Sequence, residues 1–401
     1  MIGMNTLLNR RGLLQGFLGA GLLASMPRYA FAKTPDDRRF IFIILRGGMD
    51  GLAAVPPVGD KDYADLRGPL AIAAPGQPDG VLPLDDRFGL HPALAPIHGL
   101  WQAGHLQIVH AATTPYRDRS HFDAQNVLET GGNGPSGSGV GWLNRALGLM
   151  GGSGLGLAVN EAAPLVMSGP TQVATWVNGA GAGPSDYLLD AIDRLYADAP
   201  AFHAALATAR DTEQLLADAD TNAMARQRGL GRLTPAFKGL ASLMRDARGP
   251  RIATLEVTGW DTHSAQGAAK GRLATLLGQF ADALSALRQD LEPVWAKTVV
   301  VAATEFGRTA APNGSAGTDH GTAGAAFVLG GALEGRRMIV DWPGLARDRL
   351  YEGRDLAPTT DLRSVFASVL RDHVGLPEAD IRSRVFVDAA RLPFTPDLVR
   401  G

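Results

Sequence analysis

The sequence predicts an α/β fold: a parallel-rich sheet sandwiched between helices, with a helical insertion over about 185–247. Three observations predict it. Arg39 to Arg46 is a nearly continuous apolar run, the pattern of a central strand covered on both faces. From Arg251 to Thr304, strand-like and helix-like segments alternate, as parallel crossovers require. Across the insertion, apolar residues recur at helical spacing, with Leu188, Leu189, Ile192 and Leu195 on one face.

Each element follows from its residues. After the first strand, Gly47 and Gly48 allow a tight turn that places Asp50 beyond the carboxyl end, where open α/β sheets bind ligands. Residues 56–91 have little periodicity and many Pro, Gly and Asp, so they predict a long excursion over that end. A helix from about Pro92 to Gly104 leads into a strand from Leu106 to Ala111, and a loop delivers a second helix at Ser120. The sheet resumes with a strand from Arg251 to Thr258, a helix from about Gly267 to Leu291 and a strand from Thr298 to Thr304. A further strand follows from Thr322 to Leu329, and residues 360–374 predict a final amphipathic helix with Leu362, Val365, Phe366 and Val369 inward.

The amino terminus has a separate purpose. Asn9-Arg10-Arg11 precedes an apolar run from Leu13 to Met26 and then Ala30-Phe31-Ala32, the pattern of a twin-arginine export signal over residues 1–32. That run has 14 residues, short of the roughly 20 that span a bilayer as a helix. A signal anchor is the alternative. The expectation is a periplasmic or secreted protein that meets the twin-arginine translocase during export and has no stable membrane span when mature. Residues 33–401 are expected to form one α/β domain.

Removing residues 1–32 takes away three arginines and no acids, leaving 35 basic and 40 acidic side chains and a formal charge of −5. Such a balance does not favour a nucleic-acid partner. The absence of cysteine excludes disulfides, thiolate zinc sites and a cysteine nucleophile. No G-x-S-x-G elbow or P-loop occurs, and Gly151 to Gly156 precedes an apolar run, the wrong polarity for a dinucleotide fingerprint.

The chemistry-bearing residues lie where β-like runs end. Asp261 and His263 are two apart, which in extended chain points both side chains to one face, toward a single metal; the alternative is a turn cap and its hydrogen bond. Glu305 ends a buried run, so it must be ligated or paired, and Arg308 is the candidate partner. Asp319 and His320 follow a Gly-, Ser- and Asn-rich loop irregular enough for both to reach one cation. Together with Asp50 they predict a divalent-metal site at one edge of the sheet. Ser120 stands at a helix start flanked by Arg117 and Arg119, as a metal-activated nucleophile or as an N-cap. Of the remaining histidines, His121 alone is placed to turn toward the site from that helix start.

Six motifs carry a family resemblance: Arg46-Gly-Gly-Met-Asp-Gly-Leu52, Gly89-Leu-His-Pro-Ala-Leu94, Arg119-Ser-His-Phe-Asp-Ala-Gln125, Gly259-Trp-Asp-Thr-His263, Thr304-Glu-Phe-Gly-Arg-Thr309 and Asp319-His320. In that order they resemble a bacterial exported family of unknown function, usually placed near the alkaline phosphatase and sulfatase superfamily. The resemblance implies an alkaline-phosphatase-like sheet with paired metals at its carboxyl edge and a nucleophile at a helix start. It implies Asp50, Asp261, His263, Glu305, Asp319 and His320 as ligands and Ser120 as nucleophile. Two departures stand out: the superfamily spaces its Asp and His pair more widely, and it has an Asp-His where this chain has Thr304-Glu305. The sulfatase pattern Cys/Ser-x-Pro-x-Arg is also absent at Ser120.

The expected function is an exported hydrolase of phosphate esters, ahead of sulfate esters, holding one or two divalent ions (zinc, manganese, iron, calcium or magnesium). Its substrate would be an anionic small molecule or a glycan phosphoester, with Arg117, Arg119 or Arg308 neutralising the equatorial oxygens. The competing expectation is a metal-stabilised envelope binding or assembly protein that keeps the fold without turnover.

Overall fold

The computed structural model describes residues 37–151, 155–176, 233–389 and 391–400. Strand β1 (Arg39–Arg46) is buried along nearly its whole length, and its alternation divides the interior in two. Ile41, Ile43 and Leu45 join one apolar cluster, and Phe40, Phe42 and Ile44 join the other. A strand with apolar side chains at both parities can bury both faces only if helices cover each of them.

The excursion after β1 contains α1 (Gly51–Ala54), α2 (Tyr63–Arg67) and an antiparallel pair, β2 (Leu82–Pro83) and β3 (Gly89–Leu90). Next come α3 (Ala95–Gln102), β4 (Leu106–Thr113), α4 (His121–Thr130), α5 (Trp142–Leu149), β5 (Gly156–Val159) and β6 (Ala174–Trp176). After the stretch that is not described come α6 (Leu233–Arg245), β7 (Ile252–Thr258), α7 (Arg272–Asp290), β8 (Thr298–Ala303) and β9 (Gly324–Leu329). The chain closes with β10 (Arg337–Ile339), β11 (Thr360–Asp361) and α8 (Leu362–Ser368). Helices α3, α6 and α7 pack on the first face, α5 and α8 on the second. Among the described residues no helix is long and apolar enough to cross a membrane.

Among the described residues nine strands form the main sheet, in the order β10-β4-β9-β8-β1-β7-β5-β6, with β11 paired to β4. All neighbours are parallel except β9, which runs against both β8 and β4. This single reversal decides where the chemistry gathers. Asp50, Asp261 and Glu305 follow strands β1, β7 and β8, whereas Asp319 and His320 precede β9. Because β9 is reversed, its beginning lies at the edge where the others end.

The expected elements shift at their ends for local reasons. Helix α7 begins at Arg272 rather than near Gly267, because Gly267 and Gly271 have φ of 77° and 124°, outside the helical region. The final helix divides into α8 and a π-helical turn, Val369–His373. Of the expected insertion, the described part is α6; residues 185–232 and the expected signal at 1–32 lie outside the described residues.

Trp142 is fully buried in the second core and stacks on Phe366, with ring centroids 5.0 Å apart. Its indole N–H donates to the Leu128 carbonyl at 3.1 Å. Trp142→Ala opens a cavity and orphans that carbonyl, so it should destabilise the protein by about 3–5 kcal/mol. Equilibrium unfolding in urea measures the loss.

Candidate metal centre

The loops at the carboxyl edge are drawn together by backbone approach and by one arginine. A Cβ on Gly47 would sit 2.7 Å from the Asp261 amide nitrogen, so only glycine lets the β1 turn press against the loop after β7. Residues 307–309 pair with 319–322 through Gly307 N–H to the Thr322 carbonyl and Thr309 N–H to the Asp319 carbonyl, at 2.8 and 3.0 Å. This pairing sets His320 beside the segment that carries Glu305. The Arg308 guanidinium, buried at 1% exposure, donates to the carbonyls of Gly47, Gly48, Trp260 and Thr318 and to the Asp261 carboxylate.

Three imidazoles and one carboxylate converge there. Ligand atoms of His121, Asp261 and His320 lie within 4.8 Å of one another. His263 Nε2 is 3.0 Å from Asp261 Oδ1 and 2.9 Å from His320 Nε2. Each ring is held from behind by an oxygen. His121 Nδ1 donates to Glu305 Oε1 at 2.8 Å, His263 Nδ1 faces Asp319 Oδ1 at 3.2 Å, and His320 Nδ1 donates to the Arg119 carbonyl at 3.0 Å. These partners fix the proton on Nδ1 and turn the Nε2 lone pairs toward the cluster, the arrangement found behind metal-bound histidines.

That orientation is the test of fit for a cation. Two imidazole lone pairs at 2.9 Å repel unless a positive charge or a proton lies between them. His121 Nε2 is buried without any hydrogen-bond partner, and Asp261 Oδ1 is 3.6 Å away. A divalent ion would satisfy His121, Asp261 and His320, with His263 adjoining the last two, and an imidazole-rich donor set with one carboxylate suits zinc, manganese or iron ahead of calcium or magnesium.

The electrostatics agree. Burial raises the Glu305 pKa, but hydrogen bonds from His121, Gln125 and the Gly47 N–H outweigh it and hold the carboxyl below its ordinary range. The Glu305 hydrogen bond in turn raises His121. His320 is lowered chiefly by burial, and further by Arg308 and by His121 whenever that ring takes a second proton. Asp261 has burial acting to raise it, yet Arg308, His263 and His121 bring it below the usual carboxylate value. Asp319 is lowered chiefly by the hydrogen bond from Asn313.

The expected site residues thus divide. Asp261, His263 and His320 meet directly, while Glu305 and Asp319 stand behind imidazoles. Asp50 is elsewhere: its Oδ2 accepts from Arg67 at 2.6 Å and from Gln266 at 2.7 Å, and its Oδ1 accepts from the Ala53 N–H at 3.2 Å. Glu305 pairs with His121, and Arg308 pairs with Asp261 instead of Glu305. Arg119 bonds Glu352 and Asp355, and Arg117 donates to the Thr114 and Tyr116 carbonyls. Ser120 is the N-cap residue of α4, but its side chain makes no capping bond. His121 joins the cluster from the helix start, the one place where the sequence singled it out. Arg67 and Gln266 had no such signal, because neither lies in a recognisable motif.

The centre is therefore a histidine–carboxylate cluster at the carboxyl edge of a mixed, mostly parallel sheet. The chain belongs to the DUF1501 family, described as proteins of unknown function, whose model matches residues 37–385. No curated protein matches it. Among solved structures, the C-terminal periplasmic domain of EcEptC from Escherichia coli, in complex with Zn, is similar at 10% identity and a TM-score of 0.40, covering 94% of this chain and 95% of that one. The lipoteichoic acid synthase LtaP from Listeria monocytogenes is similar at 11% identity and a TM-score of 0.36, covering 77% of this chain and 67% of that one. Likenesses this distant say nothing about chemistry.

Because the folded pKa of Glu305 is depressed, its contribution to stability is complete above the ordinary carboxyl range and is lost as pH falls through the lower folded value. Glu305→Gln should accordingly destabilise the protein most near neutrality. The gap from the unaltered protein should narrow by about pH 3, as urea unfolding at the two pH values will show.

Proposed function

We propose that the chain is an exported, metal-dependent hydrolase of phosphate esters in which His121, Asp261, His263 and His320 hold one divalent cation. The observation that carries the reading is the set of three Nε2 atoms turned inward, each with its Nδ1 held by an oxygen. When bound, such an ion supplies Lewis acidity to a phosphoryl oxygen and stabilises developing negative charge. The centre is open on one side, since the side chains of Asp261 and His263 are 46% and 43% exposed.

Ser120 is the nucleophile in this reading. It lies between Arg119, whose carbonyl orients His320, and His121, and its hydroxyl is free of a capping bond. Four residues before it, the Tyr116 hydroxyl donates to Asp123 Oδ2 at 3.1 Å. As the Ser120 oxygen forms its bond to phosphorus, the bond to the ester oxygen breaks and the serine proton passes through solvent to that departing oxygen, which leaves as the alcohol. Water then releases phosphate from Ser120 and restores the hydroxyl. Export by the twin-arginine route to the periplasm or beyond, and an anionic small-molecule or glycan phosphoester substrate, belong to the same proposal.

One observation favours a second reading, a metal-stabilised envelope binding or assembly protein without turnover. Arg117, Arg119 and Arg308 all donate to protein groups, so the arginines expected to receive a phosphoryl group are already engaged.

Elemental analysis and turnover of 4-nitrophenyl phosphate separate the two. His320→Ala should lower metal affinity at least about 10–100-fold, the range seen even for outer-shell changes. Ser120→Ala should keep the metal and lose turnover by about a hundredfold or more. Metal-loaded protein that turns over no phosphate or sulfate ester would favour the second reading.

A further inference from the structure

The groups around Asp50 form a second charged network on the same edge, outside the histidine cluster. Asp50 and Arg67 are 1% and 0% exposed, and their ion pair is 2.6 Å long. Arg67 also donates to the Thr309 and Ala310 carbonyls. Gln266 completes the shell around Asp50. Thr262 and Thr318 both donate to its Oε1 at 2.8 Å, so its amide nitrogen must face Asp50 Oδ2. Both carboxylate oxygens thus accept hydrogen bonds, and the local positive charge is a side chain.

We infer that this edge takes one divalent ion per chain and that Arg67 is a resident second cation, fixed on Asp50 where a metal could otherwise bind. The inference deepens the reading above and rests on it. Charge supports the count. In the cluster, Asp261, Glu305 and Asp319 stand against Arg308, leaving two negative charges that one divalent ion neutralises. Asp50 and Arg67 already balance each other. Displacing Arg67 from Asp50 to admit a second ion would leave a fully buried guanidinium without its carboxylate, which is strongly unfavourable. The Arg67 Nε has no hydrogen-bond partner even in the intact network, so this cation is kept buried for its carboxylate and two carbonyls alone.

Zinc titration of the metal-depleted full-length protein tests the count, read by calorimetry and by elemental analysis after gel filtration. One equivalent should bind. Asp50→Asn alone leaves a buried arginine unpaired and risks unfolding, so the informative variant combines Asp50→Asn with Arg67→Met, which removes both charges together. The double variant should still bind one equivalent, with a dissociation constant within about threefold of the unaltered protein, far less than the roughly 10–100-fold expected for disturbing a ligand shell. Two equivalents in the unaltered protein, or a folded double variant that loses its zinc, would overturn the inference. No zinc in either protein would instead overturn the metal reading on which it rests.

Discussion

The guanidinium of Arg308 is where the architecture of this edge closes. It lies among the loops that follow β1, β7 and β8 and the loop that precedes β9, and it donates to carbonyls from three of them and to Asp261. Carbonyls brought so near one another at the end of a sheet would otherwise be buried acceptors without donors, at an expense of about 1–3 kcal/mol each. A planar fork with five N–H groups satisfies several at once, which an ammonium on a flexible stem does less well. The same fork aligns Asp261, so the loop scaffold and the orientation of a candidate ligand share one side chain. That use withdraws Arg308 from any direct contact with substrate.

Around this anchor the imidazoles are arranged by their rear hydrogen bonds. Two of the rear acceptors are carboxylates and the third is the Arg119 carbonyl. Arg119 adopts a φ of 62°, an uncommon conformation for a side chain of its size. Its own guanidinium bonds Asp355 and Glu352, while Arg354 bonds Asp355 and the His320 carbonyl. A rim segment with no part in the cluster thereby holds the backbone on both sides of the His320 ring. The orientation of that ring depends on a shell well outside any motif, as at histidine metal sites generally.

Asp50 shows how one residue type at one place in a fold can be diverted. It ends the central strand, in the position that open α/β sheets use for ligands, and it is buried. A carboxylate there needs a counter-charge, which an ion or an arginine can equally provide. In this chain α2 of the long excursion brings Arg67 to it. The excursion therefore shapes the edge from within, by filling one charge site with protein.

Much of the frame was legible in the linear order of residues. Continuous apolar runs at Arg39–Arg46 and Thr298–Ala303 dictate buried strands, because only helices on both faces can cover both parities. Glycines after the first run dictate a turn, and polar residues that end successive strands must gather at one edge. By itself the sequence determined the central strands, the edge where β1, β7 and β8 end and the residue types available for chemistry, whereas the reversal of β9 that brings Asp319 and His320 to that edge belongs to the tertiary structure. Tertiary structure alone decided the pairings: Glu305 with His121, Arg308 with Asp261, Arg67 with Asp50. Charged groups can exchange partners at almost no change in local pattern, and their choice depends on separations of a few ångströms between segments as far as 184 residues apart, such as His121 and Glu305. Periodicity reports which face a residue occupies, and says nothing of which opposite charge waits across it.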